Sequence, residues 1–265
     1  MDITGNLIKM KTSLDEKVNY YLTLERQPIH VNDLIGHVIE MEYHHQINCI
    51  KCGRKTSKSF GQGFCFPCFR SAPEASDCIL KPELCQAHLG ISRDMEWSKS
   101  HCLIDHYVYL SYTSGVKVGV TRENQIPDRW CDQGAVEALP VARTPNRYLA
   151  GLIEVALKEG INDKTNWRRM LTDVKTQGNE LFGYKDKILD NLPADLKQYF
   201  LNDAEMTSLT YPVRQYPIKI KSFTFDKVNR FKGTLLGIKG QYFIFDQDMV
   251  INIRKHNGYL ITLKA

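Results

Sequence analysis

Two periodicities take turns along this 265-residue chain. Apolar and polar residues alternate in steps of two over 19–25 and 37–43, a spacing that turns one strand face to a core and the other to solvent. The same period returns over 107–120, where Thr113, Ser114 and Gly115 supply a hairpin turn, and again over 218–225, 241–245 and 259–263. Gly233, Gly237, Gly240 and Gly258 punctuate that last stretch at turn-like intervals. Between these strand-rich ends the period becomes helical. From Asn146 onward, Leu149, Leu152, Ile153, Ala156 and Leu157 fall on one stripe that should stop at Gly160. A second helix is predicted over 165–177, with Met170, Leu171 and Val174 inward and Gly178 as its stop. A third reaches Leu192, where Pro193 interrupts it. A short one starts at Pro127, carries Arg129 and Trp130, and closes at Gly134.

The pattern predicts an α+β chain in four parts. Neither strand-rich end has enough strands for a stable sheet by itself, so 1–46 and 205–265 are expected to pack together as one small β-barrel or sheet. Residues 105–204 form the α/β core, and 47–104 carry the cysteines. Composition adds exclusions. With 43% hydrophobic and 25% charged residues the chain can bury a core. No window approaches the run of about 20 apolar residues that spans a bilayer, so no membrane association is expected. The opening residues lack a basic and then apolar leader, and a cytoplasmic location is expected. A net charge of +5 permits a polyanionic partner without demanding one.

The cysteines carry the most specific signal, since seven of the eight fall between Cys49 and Cys102. Cys49 and Cys52 form one C-x-x-C knuckle, Cys65 and Cys68 a second, and twelve residues separate them. Two residues between thiolates let both sulfurs face one centre, and the second knuckle completes the tetrahedron that Zn²⁺ prefers. A second group is less regular: Cys78, Cys85 with His88 in C-x-x-H spacing, and His101-Cys102. It could form another structural zinc site or a loop of buried thiols. Zinc would supply folding free energy to a stretch this poor in regular structure.

After the cysteines come groups suited to phosphoryl chemistry. Tyr109 lies on the first hairpin strand, Lys117 and Arg122 on the second, Arg129 on the short helix, Glu154 beside the apolar stripe of the next, and Asn166 at the start of the one after. A carboxylate can hold a divalent ion, a phenol or lysine can position water, and arginines can neutralise phosphate charge. Each also has an ordinary role. Tyr109 can pack within the hairpin, Lys117 and Arg122 can guard a strand edge, Glu154 can pair with Lys158, and Asn166 can cap its helix.

In this order, from about 106 to 170, the residues resemble the GIY-YIG endonuclease superfamily. Tyr107-Val108-Tyr109 stands for the first tripeptide. Lys117-Val118-Gly119, followed by Thr121, resembles a branch with Lys in place of the second Tyr. The first tripeptide also has Tyr107 in place of the leading Gly. The resemblance implies a GIY-YIG-like α/β core, Arg129 as the helix arginine, Glu154 as the ligand of Mg²⁺ or Mn²⁺, and Asn166 as the late asparagine. The whole chain is also similar to a bacterial family defined only as a domain of unknown function (DUF2797-like), through 61–69, 116–122 and 237–242. Between Arg214 and Gly233 six basic residues interleave with Tyr216, Phe223, Phe225 and Phe231, a pattern that can grip a single strand or serve as core plus solvated face. The expected function is a zinc-containing protein that acts on, or at least binds, nucleic acid, with DNA or RNA as partner; if it is an enzyme, the reaction is divalent-metal-dependent phosphodiester hydrolysis. A non-catalytic nucleic-acid or ribosome-associated adaptor and a zinc-stapled protein-interaction scaffold are the competing readings.

Overall fold

A computed structural model describes residues 1–158, 161, 166–176 and 178–265. The predicted stop at Gly160 and the predicted helix limits Thr165 and Gln177 lie outside these residues. In chain order come β1 (Asp2–Asn6), β2 (Lys11–Leu14), β3 (Val18–Leu24), β4 (Gln27–His30), β5 (Val38–Asn48) and β6 (Lys55–Thr56). Two short helices, α1 (Phe66–Ser71) and α2 (Met95–His101), punctuate the cysteine-rich stretch. The middle holds β7 (His106–Tyr112), β8 (Val116–Arg122), α3 (Asp128–Gln133), β9 (Glu137–Thr144), α4 (Arg147–Lys158), α5 (Trp167–Met170) and α6 (Glu180–Asn191). The last elements are β10 (Thr207–Ser208), β11 (Lys221–Ser222), β12 (Arg230–Lys239), β13 (Tyr242–Phe245), β14 (Met249–Asn252) and β15 (Tyr259–Lys264).

The two ends of the chain share one sheet, in the order β1-β15-β5-β12-β13-β14-β11, with β6 also paired to β5. β15 lies between β1 and β5, antiparallel to both. A three-stranded meander, β2-β3-β4, contributes Tyr20, Leu22 and Leu24 to the core that buries Ile39, Met41, Ile261 and Leu263 of the large sheet. The barrel alternative is not what forms, because the sheet is open, with β1 and β11 at its edges. The predicted strand over 218–225 shrinks to the two residues of β11. Asp248 explains part of this, since its carboxylate accepts the backbone N–H groups of Ile218 and Lys219 that a longer ladder would need. The aromatics of the basic tract are core. Phe223 and Phe225 are buried, and Phe223 stacks on Phe231 at 4.2 Å.

The middle sheet runs β10-β9-β7-β8, antiparallel throughout, with the hairpin turn at 113–115. Strand alternation gives it two apolar faces. Val108, Leu110 and Val118 meet Ala150, Ile153 and Leu157 of α4. Tyr109 and Ala138 join Trp130 of α3 in the core shared with the terminal sheet. Gly134 ends α3 in the left-handed conformation at φ 69°, which glycine adopts at no steric cost. The second predicted helix is much shorter than its pattern, since α5 spans four residues. Met170 and Leu171 are buried against Ile244 and Val250 of the terminal sheet, and that docking sets the local path.

His256 shows how tightly the terminal core is specified. Its Nε2 accepts from the Phe225 backbone N–H at 3.2 Å, so the ring can donate to Asn252 O, 2.8 Å away, only from Nδ1. That pattern needs the neutral imidazole, and burial pulls its pKa below the ordinary 6.5. A depressed base contributes stability above the ordinary value and loses it as pH falls, because the unfolded chain takes up a proton the fold refuses. Urea midpoints should therefore drop between about pH 7.5 and about pH 5.5. His256→Gln should lower stability at the higher pH and shrink the drop. An equal drop in the variant would refute this account.

Candidate functional site

Chain geometry gathers the cysteines into two groups. The first is Cys49, Cys52, Cys65 and Cys68, whose sulfurs all lie within 4.8 Å of one another. Cys49 follows β5 directly, and Gly53, at φ 71°, turns the chain so that its N–H reaches Cys49 O at 2.8 Å. Cys65 sits at the N-terminal end of α1, and Cys68 lies one turn along. Burial alone would raise the Cys49 thiol, but backbone N–H groups of Cys65, Cys52 and Lys51 outweigh it and bring the pKa down to about 6. Four cysteine sulfurs gathered this closely fit tetrahedral zinc, and they could hold a structural ion.

The second group is Cys78, Cys85 and Cys102, with sulfurs again within 4.8 Å. Neighbouring thiols, Cys78 first, hold Cys102 far down, at about 2, with Arg147 and Ser98 assisting. These three also could hold zinc. His88 is placed elsewhere. It is exposed, and its ring stacks on Tyr148 at 4.4 Å. His101 hydrogen-bonds Trp97 O through Nδ1 at 2.9 Å and stacks on the Trp97 ring.

Arg147, at the start of α4, joins this cysteine segment to the core. Its backbone N–H donates to Cys102 O, and its guanidinium donates to Cys78 O at 3.2 Å and His101 O at 2.9 Å. Beside it lies a cleft of about 280 Å³. Glu74, Trp97 and His101 wall one side, and Arg122, Arg129 and Arg147 face them from the core. Among the described residues Arg122 and Arg129 have no ion pair. Burial and the neighbouring Arg147 both pull Arg122 below the usual guanidinium range. Glu74 is the carboxylate of the cleft, and it is tied to Lys51 at 2.6 Å. Glu74, Ile79 and Arg129 also line a second, larger cavity of about 610 Å³, walled by Ile50, Phe64, Phe69 and Arg254.

The six residues singled out in the core divide between two places. Tyr109, Arg129 and Glu154 lie within electrostatic reach of one another. Tyr109 is fully buried, and its hydroxyl donates to Gln133 at 3.0 Å. Burial raises its pKa against the pull of Arg129, which keeps the phenol neutral. A Cβ on Gly119 would come within 2.8 Å of that hydroxyl, so the glycine makes room for the ring. Glu154 is 8% exposed and pairs with Lys158 at 3.5 Å, and burial raises its carboxyl. Arg122 faces the cleft with Arg129. Lys117 and Asn166 lie at the other end. Lys117 is buried near the hairpin turn, about 16 Å along the strand from Arg122. Asn166 caps α5 by accepting the Arg168 and Arg169 N–H groups on its side-chain oxygen, and its own backbone N–H donates to Ser114 Oγ.

A family model described as "Protein of unknown function (DUF2797)" matches residues 36–261. The chain belongs to that family. No curated protein and no solved structure matches it. The DUF2797 match runs from just before β5 into β15, so it takes in both sulfur groups and the cleft. Among the described residues no helix of this DUF2797 chain is long and apolar enough to cross a membrane.

Sequence reasoning missed Arg147, His106 and Arg254 as parts of this site. Arg147 did leave a signal. A cation in the first turn of a helix opposes the helix dipole, and this one lies on the apolar stripe, in register with Ala150, Gly151 and Glu154. Such a residue calls for a partner outside its helix. His106 and Arg254 left none.

Protein purified without added metal should carry two equivalents of zinc, one for each sulfur group. By elemental analysis Cys52→Ser should lose one and Cys85→Ser the other. Retention of both after either change would refute the assignment. Gly119→Ala should displace the Tyr109 ring and destabilise the core by about 1–3 kcal/mol, read from denaturant midpoints.

Proposed function

We propose that this protein is a zinc-stapled nucleic-acid-binding protein that grips phosphates in the arginine-lined cleft, on a core resembling the GIY-YIG endonucleases. The observation that carries the reading is the convergence of Arg122, Arg129 and Arg147 on one cleft whose carboxylate, Glu74, is already engaged by Lys51. Guanidinium forks suit phosphate oxygens, and such contacts dominate nucleic-acid affinity. The order hairpin, helix, strand, helix in β7-β8-α3-β9-α4 supports the resemblance, as does the mutual proximity of Tyr109, Arg129 and Glu154.

Phosphodiester hydrolysis is the activity this reading extends to. Glu154 fits a divalent-ion ligand, since its Oε2 is buried without a hydrogen-bond partner. Mg²⁺ or Mn²⁺ held there would supply Lewis-acid stabilisation of phosphate charge. Arg129 would bind the phosphate, and the neutral Tyr109 hydroxyl would hold Arg129 in place rather than take a proton from water. The adaptor reading has its own support. Tyr109 is fully buried, and the turn at Pro82–Leu84 lies against α4, with Glu83 N only 2.1 Å from where a Gly151 Cβ would stand. Glu154, one helical turn from Gly151, is thereby covered.

DNA and RNA panels with Mn²⁺ and with chelator separate the two. Arg129→Ala should weaken binding and lower the salt slope by about one phosphate contact's worth in fluorescence anisotropy. Under the hydrolase reading Glu154→Ala abolishes cleavage and spares most binding. Under the adaptor reading the parent cleaves nothing, and Glu154→Ala binds equally well or better. Absence of any low-salt affinity in the parent would overturn both.

A further inference from the structure

Three residues that line the cleft each carry a buried side-chain atom with no hydrogen-bond partner. Two of these atoms are imidazole and guanidinium nitrogens, His106 Nε2 and Arg147 Nε, and the third is the carboxylate oxygen Glu74 Oε2. His106 is 1% exposed and Arg147 8%, so neither atom can turn to bulk water for a partner. Leaving such atoms unpaired costs about 1–3 kcal/mol each, which is rarely tolerated without a purpose. His106 Nδ1 faces Ile104 O at 2.7 Å, where it can only donate, and burial pulls the ring's pKa down to about 4, so Nε2 is an acceptor. Arg147 is fixed at both terminal nitrogens, which leaves Nε as the free donor.

The cleft thus presents three arginines to an anion and, beside them, one carboxylate oxygen that needs a donor. A diester phosphate brings one negative charge and no proton. A terminal phosphate monoester brings about two charges and several acceptor oxygens, and a ribose that carries it brings a 2′-hydroxyl. Both demands are met by one phosphate–sugar unit. The larger cavity that shares Arg129 is lined by Phe64, Phe69 and Arg254, an aromatic and cationic wall on which the next nucleotide can rest.

We propose that the cleft is an end-recognition site, taking the terminal phosphate monoester of a nucleic-acid strand on Arg122 and Arg147, with Glu74 receiving the 2′-hydroxyl of the terminal ribose. The proposal rests on the nucleic-acid reading above and names its substrate as strand ends.

The test compares RNA and DNA oligonucleotides bearing a 5′-phosphate, a 3′-phosphate or only hydroxyl ends, by anisotropy at fixed salt with the zinc-loaded protein. One phosphorylated terminus should bind about tenfold more tightly than its hydroxyl counterpart, as expected from a charge-assisted contact. Arg122→Gln should erase that preference at unchanged zinc content, and Arg122→Lys should keep part of it. Glu74→Gln should weaken phosphorylated strands less when the 2′-hydroxyl of the terminal ribose is replaced by hydrogen. Equal affinity for all ends in the parent protein, or a preference that survives Arg122→Gln, overturns the proposal. So does competition by inorganic phosphate or a nucleoside monophosphate at the oligonucleotide's own affinity, which would mean that the site serves small anions. The two readings fail separately. A phosphate-end preference without Mn²⁺-dependent cleavage keeps this site and removes the hydrolase. Cleavage with indifference to the end does the opposite.

Discussion

Sulfur is what the stretch between β5 and β7 has to bury. Its two small apolar clusters contain four buried cysteines, with Phe64, Ala72 and Ala87 as their other buried members. So little carbon cannot offset the entropy of ordering more than fifty residues at about 1–2 kcal/mol each. Bonds from thiolates to a metal can, because each set of ligands replaces a core. The shape of one cleft wall follows from this. Glu74 lies just beyond the first group, and Trp97 and His101 just before the last cysteine of the second.

The opposite wall is rigid for a different reason. The middle sheet is packed on both faces, by α4 and α6 on one side and by the terminal sheet through Tyr109 and Trp130 on the other. α3 is locked from outside as well, since Asp132 receives Lys9 at 2.8 Å and Gln241 at 2.7 Å from the two ends of the chain. Arg129 is carried on that helix. Arg147 bridges the two walls through backbone carbonyls, so its guanidinium serves the fold and the cleft together.

Much of this was legible in the sequence because it is local. The hairpin, the amphipathic α4, the glycine end of α3 and the two knuckles are each written within a few residues of one another. The failures are all tertiary. The alternation over 218–225 is real, but Asp248 takes the N–H groups that strand pairing would need. Met170 and Leu171 look helical, yet they are pinned by strands from the far end of the chain. Within the core, Tyr109, Arg129 and Glu154 lie within electrostatic reach of one another, while Lys117 and Asn166 lie at the turn end of the hairpin, a separation that spacing could not reveal. The cleft itself joins residues from both sides of the cysteine stretch, and no motif spans such a distance.

The place of β15 sets the order in which this molecule can be assembled. β1 and β5 are synthesised well before β15, yet each pairs with it across nearly all the rest of the described chain. Until Tyr259–Lys264 arrives, both present open edges and an apolar face that includes Ile39 and Met41. Such edges invite pairing with other chains, and contacts this distant in sequence form slowly. A chain still lacking β15 is therefore more exposed to strand pairing between molecules than the finished one.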